Sequence, residues 1–284
     1  SVPVNASRPI SLSCSIVSYH SPAAELQSAL ESLLDAIGHA SAEGLALEAD
    51  ITLVDNSEAA ELRPDTLAAT FEKAASLGCV LRIEQGHGNV GYGRGHNLAI
   101  GPSRGDYFLV MNPDVVVEKE ALTTGIRHLQ QHPEIAVVSP AAHGLDGVRQ
   151  YLCKRYPSVL AFAARGFFPV WLKRLFRGQL AHFEMHDLAP DEPHHDIPIV
   201  SGCFMLCRTA ALQKVGGFDE NYFLYFEDFD LSLRLRKVGR LAYLPAMRIT
   251  HYGGHSARKG WRHIGMFIRS GLRFFNTWGW KLIQ

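Results

Sequence analysis

Residues 106–114 read DYFLVMNPD, an apolar strand that stops on Asn112-Pro113-Asp114. A strand that ends on turn formers and a carboxylate is the unit from which the rest of the chain can be parsed. The same punctuation recurs on the N-terminal side. Residues 10–18 (ISLSCSIVS) run apolar into Ser18-Tyr19-His20, residues 50–54 (DITLV) stop at Asp55-Asn56-Ser57, and residues 79–83 (CVLRI) lead into a glycine-rich loop. Helical periodicity fills the gaps. Leu26, Leu30, Leu33, Leu34 and Ile37 recur at three and four between Ser21 and Gly38. Further helices are predicted at about 64–77, 95–100 and 118–131, and a strand at 135–138. Strands alternating with helices mean βαβ units and a mainly parallel central sheet flanked by helices.

In such a sheet ligands bind beyond the carboxyl ends of the strands. The segments to inspect are therefore Ser18-Tyr19-His20, Asp55-Asn56, the loop 84–97 and Asn112-Pro113-Asp114. Each is explained singly by turn chemistry. Two carboxylates at strand ends beside a glycine loop are less easily explained that way. Gly86-His87-Gly88-Asn89-Val90-Gly91 matches the dinucleotide fingerprint, but it follows the third strand where the fingerprint follows the first, so a nicotinamide or flavin enzyme is disfavoured. The glycines more simply let backbone approach a ligand. Asp114 at a strand end is suited to Mg²⁺ or Mn²⁺ beside a diphosphate.

The C-terminal half is organised differently. A strand is predicted near 198–207, a helix near 226–238, and short strands at 240–244 and 247–250. Phe223 to Asp230 (FLYFEDFD) is the densest constellation of acids and aromatics, with Glu227, Asp228 and Asp230 at a helix start. An aromatic setting raises a carboxylate pKa and makes it a better base. The turn from His251 to Ser256 (HYGGHS) could ligate a metal, bind phosphate, or be a plain surface turn. The pairs His182/His186 and His194/His195 read as surface histidines.

Composition bounds the function. The 284 residues carry 28 basic and 28 acidic side chains, with 47% hydrophobic and 20% charged residues. That excludes wholesale disorder and disfavours a general nucleic-acid binder. The length suits two domains of ~150 residues or one large α/β domain. No stretch approaches the ~20 apolar residues of a membrane span. Residues 1–9 lack the charged-then-apolar pattern of a signal peptide. Five cysteines without a Cys-x-x-Cys pair read as small buried hydrophobes and fit a reducing cytosol. The zero net charge is a cancellation. Segments 149–178 and 257–284 hold 13 basic residues and no acid, leaving a balance of −13 elsewhere. Both are rich in Phe and Trp. Within them, residues 155–178 and 257–281 either pack on the core, dock on an anionic membrane, or pair two copies of the chain as a homodimer.

Taken together the motifs resemble family 2 glycosyltransferases, inverting enzymes of the GT-A fold, and among them the bacterial rhamnosyltransferases of O-antigen and cell-wall polysaccharide assembly. The resemblance is carried by Ile16 to Tyr19, Val54 to Ser57, Asn89 to Asn97, Asn112 to Val115, Ser201 to Leu206, Val215 to Glu220, Tyr222 to Leu231 and the His251 turn, in family order over residues 10–256. It implies a catalytic domain over 1–256, with a nucleotide half at about 10–140 and an acceptor half at about 141–256, and a basic aromatic C-terminal helical extension at 257–284. Ser18, Tyr19, Asp55 and Asn56 would then hold base and ribose, and Gly91, Gly95 and Asn97 would line the nucleotide pocket. Asn112 stands where the family's metal motif commonly has its first Asp. This leaves Asp114 as the strong ligand and His251 as an additional one for Mg²⁺ or Mn²⁺. Asp228 aligns with the general base, beside Glu227.

The resemblance further implies a nucleotide-diphospho-sugar donor, with dTDP-rhamnose favoured and galactofuranose or another deoxyhexose on UDP, dTDP or GDP left open. The acceptor would be a glycan or lipid-linked glycan, and the location cytoplasmic, at most peripheral to the inner membrane face. A non-catalytic sugar-nucleotide or glycan-binding module on the same fold is the alternative. Asn112 supports it; the joint presence of Asp114, Glu227, Asp228 and His251 argues against it.

Overall fold

A computed structural model describes residues 8–253 and 260–284. The first half is β1 (Ile10–Ser18), α1 (Ala23–Ala42), β2 (Leu47–Asp55), α2 (Ala68–Ser76), β3 (Val80–Glu84), α3 (Tyr92–Ile100), β4 (Tyr107–Met111), β5 (Val115–Val117), α4 (Ala121–Gln131) and β6 (Ile135–His143). The stripe on α1 does what its spacing demands: Leu26, Leu30, Leu33, Leu34 and Ile37 are all buried against the sheet. β7 (Arg149–Gln150), β8 (Cys153–Lys154), α5 (Val159–Phe167), α6 (Val170–Leu175), α7 (Arg177–Phe183) and β9 (Ile199–Val200) follow. The chain then forms β10 (Phe204–Arg208), α8 (Thr209–Lys214), α9 (Glu227–Leu235), β11 (Arg240–His251) and α10 (Trp261–Trp278).

The main sheet runs β3-β2-β1-β4-β10-β6-β11-β5, with β7 on β6. It is parallel from β3 through β4, and again between β6 and β11. β10 is antiparallel to both its neighbours, and β5 to β11. The mainly parallel sheet expected from the sequence is thus realised in the first half and mixed in the second. β10 is entered from the carboxyl end of the sheet, so it must run downward. Its register sets Phe204 opposite Met111, and the Asn112 N–H donates to the Cys203 carbonyl at 2.9 Å.

Two sequence expectations need correction. The strand expected at 198–207 is broken into β9 and β10 by Ser201-Gly202-Cys203, which form the floor of the site. The two strands expected at 240–244 and 247–250 are one strand, β11, with a register shift between Leu244 and Arg248. Pro245 has no N–H to give the ladder and Leu244 faces Pro140 on β6, so the pairing slips there without ending.

The two basic aromatic segments divide between core and surface. Phe162, Phe183, Phe226, Phe229, Phe274 and Phe275 form a buried cluster that clamps α10 to α5 and α9, with Phe162 and Phe226 centroids 4.5 Å apart. Trp171 and Trp261, 67% and 87% exposed, stand outside it with Val170, Leu175 and Leu272. All five cysteines are buried and free.

Candidate active site

Asp114, the carboxylate after β4, meets the last residue of β11. His251 Nε2 lies 3.3 Å from Asp114 Oδ1. Gln150 fixes the ring: its Nε2 donates to the His251 carbonyl at 2.9 Å, which turns its Oε1 toward His251 Nδ1 at 2.8 Å. Nδ1 therefore carries the proton, and Nε2 presents a lone pair to Asp114. Asp114 Oδ1 is buried without a hydrogen-bond partner. Two facing lone pairs, one on an orphaned buried oxygen and one on an oriented imidazole, fit a divalent cation held between them. Asn112 is engaged otherwise, with its Oδ1 2.7 Å from the Tyr92 hydroxyl, which also lies 2.6 Å from the Gly202 carbonyl.

Gly202 joins this corner to Asp228. Its N–H donates to Asp228 Oδ2 at 2.8 Å, while Asp228 Oδ1 accepts from Phe229 N–H at 3.0 Å. A Cβ on Gly202 would sit 3.0 Å from that of Asp228 and 3.5 Å from the Tyr92 ring, so any side chain here would press on Asp228. Burial raises the Asp228 pKa, and these N–H groups only partly pull it back. Glu227 goes elsewhere. It is buried with Oε2 unpartnered, and burial followed by the neighbouring Asp228 charge pushes its carboxyl up to about 8. Tyr225 and Phe226 just before them adopt left-handed backbone (φ 70° and 63°), a strained pair that the aromatic cluster holds in place.

One cavity of about 650 Å³ brings Asp114, His251, Gln150 and Asp228 together. Arg149, Lys154 and Arg165 line it as well. The sequence left the basic aromatic stretch that holds these cations open between core packing, membrane docking and pairing of two copies, and only the fold places the three beside Asp228. Lys154 is almost fully buried, its ammonium pushed down by burial to about 8, with Glu184 3.8 Å away. Glu227 does not line this cavity. It faces a second one of about 300 Å³, which Asp228 also reaches, with Phe162, Arg165 and Phe267.

A cleft of about 560 Å³ on the nucleotide side is lined by Tyr19, Asn56, Asn89, Gly91, Tyr92 and Phe223, and closed by Arg262 and His263 of α10. Ser18, between the lining residues Val17 and Tyr19, is buried and does not line it. Asn56 Nδ2 donates to the Gly91 carbonyl at 3.0 Å, tying the glycine loop to β2. Gly91 has φ 95° and its missing Cβ would lie 2.7 Å from the Phe223 carbonyl, so it must be glycine. Gly95 is packed against Val17 and Asn56. Two residues expected here are turned inward. Asp55 accepts from the N–H groups of Ser57, Glu61 and Leu62, which outweigh its burial and hold it below the usual carboxylate range. Asn97 clamps both polar groups of the Phe218 backbone at 2.9 Å. Of the HYGGHS turn, Gly254 to Ser256 lie outside the described residues, as do Arg258 and Lys259 of the C-terminal segment.

The strand order, with clefts at the carboxyl ends of β1, β2 and β4 and a carboxylate–histidine pair after β4, defines a GT-A glycosyltransferase fold. Solved structures carry the same fold. The crystal structure of GalNAc-T7 with UDP, GalNAc and Mn²⁺ superposes with a TM-score of 0.65 over 96% of this chain and 48% of that one, at 13% identity. The mannosyltransferase PcManGT from Pyrobaculum calidifontis, in complex with GDP-Man and Mn²⁺, gives 0.58 over 92% of this chain and 64% of that one, at 15% identity.

The chain belongs to glycosyl transferase family 2, whose family profile matches residues 13–216. It is 27% identical to rhamnosyltransferase WbbL of Escherichia coli K12 over 60% of this chain and 64% of that protein. It is 29% identical to N-acetylglucosaminyl-diphospho-decaprenol L-rhamnosyltransferase of Mycobacterium tuberculosis H37Rv over 59% of this chain and 57% of that protein. The chain thus covers less than two thirds of either relative's own length.

Proposed function

We propose that this chain is an inverting glycosyltransferase that moves L-rhamnose from dTDP-rhamnose to a glycan or lipid-linked glycan of bacterial surface polysaccharide. The catalytic unit is residues 1–256, and α10 of the C-terminal extension braces it. The observation that carries this reading is the shared cavity. Asp228, the Asp114–His251 pair and the cations Arg149, Lys154 and Arg165 all face it, which suits a ligand that presents phosphates and a hydroxyl together. Rhamnose rests on the names of the relatives. The non-catalytic alternative is disfavoured because Asp228 keeps a raised pKa and an open face in that cavity.

Asp228 takes the proton of the acceptor hydroxyl as that oxygen attacks the anomeric carbon. The bond from that carbon to the diphosphate oxygen breaks on the opposite face, so one displacement inverts the centre and the nucleoside diphosphate leaves with the electron pair. Asp114 and His251 are the residues that would hold Mg²⁺ or Mn²⁺, and the ion would neutralise charge on the diphosphate. Arg149, Lys154 and Arg165 add fixed positive charge. Tyr92 and Gly202 keep the Asn112 corner and Asp228 in one frame.

A lipid-linked acceptor would approach along α6 and α10, where Trp171, Leu175 and Trp261 stand exposed and which carry Arg174, Arg262 and Arg269. Among the described residues no helix is long and apolar enough to cross a membrane. The contact we propose is peripheral and on the cytoplasmic face. Sedimentation with phosphatidylglycerol vesicles at physiological salt tests it; recovery of all protein in the supernatant defeats it. The donor is tested by thermal shift and nucleotide release with dTDP-, UDP- and GDP-sugars, with and without Mn²⁺ or Mg²⁺. Stabilisation by dTDP-rhamnose and release of dTDP on adding acceptor are expected. Preference for another nucleotide sinks the donor assignment, and binding without any turnover sinks catalysis.

A further inference from the structure

At the amino ends of β6 and β11, the opposite end of the sheet from His251, three histidines converge. His128 lies on α4, and His132 follows one turn later at the helix end, its N–H donating to the His128 carbonyl at 3.0 Å. His195 comes from the loop between α7 and β9. The ring centroids of His128–His132, His132–His195 and His128–His195 are 4.4, 4.6 and 5.0 Å apart. One ligand nitrogen from each can be chosen so that all three lie within 4.8 Å of one another. His128 Nε2 and His195 Nε2 are 2.9 Å apart. Glu134 Oε1 lies 3.5 Å from His132 Nδ1, on the edge of the group.

The geometry points to a binding site for one zinc-class transition-metal ion at His128, His132 and His195, separate from the hard-cation site at Asp114. Three imidazoles make a donor set that suits Zn²⁺ or Co²⁺ far better than Mg²⁺. Histidines one helical turn apart share a face and can ligate together. Tetrahedral Zn–N bonds of ~2.0–2.1 Å place ligand nitrogens about 3.3 Å apart, so the His128–His195 pair needs to open by only a few tenths of an ångström. The two Nε2 atoms facing each other require a shared proton when no ion is present; an ion replaces that proton.

The third ligand is pre-positioned by backbone. His194 exchanges hydrogen bonds with Tyr243 at 3.0 and 2.7 Å, and Ile197 N–H donates to the Leu241 carbonyl at 3.0 Å. The His195 loop is therefore laid along β11 before any ion arrives. A bound ion would cross-link α4 to the loop that leads through β9 to Ser201-Gly202, the backbone that holds Asp228. Its role is structural, since the cluster does not line the catalytic cavity.

The test uses the untagged full chain, stripped with chelator, loaded with Zn²⁺ and desalted in excess Mg²⁺. One retained equivalent of zinc by elemental analysis is expected, with a rise in Tm and protection of the 186–198 loop from protease. His195→Gln and, independently, His128→Gln should each lose that equivalent and the Tm response, while Asp114→Asn should keep both. Absence of a retained equivalent in wild type overturns the proposal whatever the variants do. Zinc that survives both histidine substitutions, or disappears with Asp114→Asn, overturns it as well.

Discussion

His251 turns Nε2 toward Asp114 Oδ1, 3.3 Å away, and Gln150 decides that it is this nitrogen which is unprotonated. The ring has two nitrogens, and only a second residue can select the tautomer. The Gln150 amide cannot be reversed without placing its NH₂ against Nδ1–H and its oxygen against the His251 carbonyl. The tautomer of His251 is thus set from β7, a strand of only two residues.

Gln150→Leu should weaken Mn²⁺-dependent binding of nucleoside diphosphate by about 10–100-fold, the usual cost of losing a group that orients a metal ligand. Calorimetric titration at fixed nucleotide and varied Mn²⁺ measures it. Unchanged Mn²⁺ affinity would show that Gln150 does not orient His251.

Asp228→Asn should lower turnover by about 10²–10⁴-fold and leave donor affinity near wild type, with only a small fall in Tm: the amide oxygen still accepts from Gly202, and the bond from Phe229 N–H is the one lost. The wild-type rate should rise with pH as Asp228 deprotonates. Since its pKa is raised, that limb lies above the ordinary aspartate range. A limb at the ordinary value removes Asp228 as the base.

Glu227 makes stability depend on pH. Its folded pKa, about 8, exceeds the ordinary 4.5. Between these values the folded state holds a proton that the unfolded state has released, so stability falls as pH rises across the window. Glu227→Gln removes the titration. Its Tm relative to wild type should climb from about pH 4.5 to about 8 and then level off. A difference that stays flat across this range refutes the raised pKa.

Trp278 Nε1 donates to Asp230 Oδ1 at 2.9 Å, fastening α10 to α9; Arg234 holds the other Asp230 oxygen at 2.8 Å. Trp278→Phe leaves a buried carboxylate oxygen unpaired. It should cost about 1–3 kcal/mol in chemical denaturation and lower turnover through the misplaced start of α9. A variant as stable and active as wild type would mean that α10 does not brace the site.

The alternation of apolar runs with turn formers determined the parallel half of the sheet, because strand ends and helix faces are encoded by neighbours in the chain. The motif order likewise determined which carboxylates to inspect. It did not decide where they point. Asp55 and Asn97 were expected at the nucleotide, yet they bind backbone at 57–62 and at Phe218. Asp228 and Glu227 are adjacent in sequence and share the smaller cavity, but only Asp228 also reaches the one that holds Asp114 and His251. Arg149, Lys154 and Arg165 are indistinguishable in sequence from Arg174 and Arg177, and only the fold turns the first three toward Asp228. His128, His132 and His195 looked unrelated until α4 and the loop on β11 met. Sequence pattern fixes which side of an element is apolar; what covers the polar side is set by segments far along the chain, and that pairing exists only once the sheet has assembled.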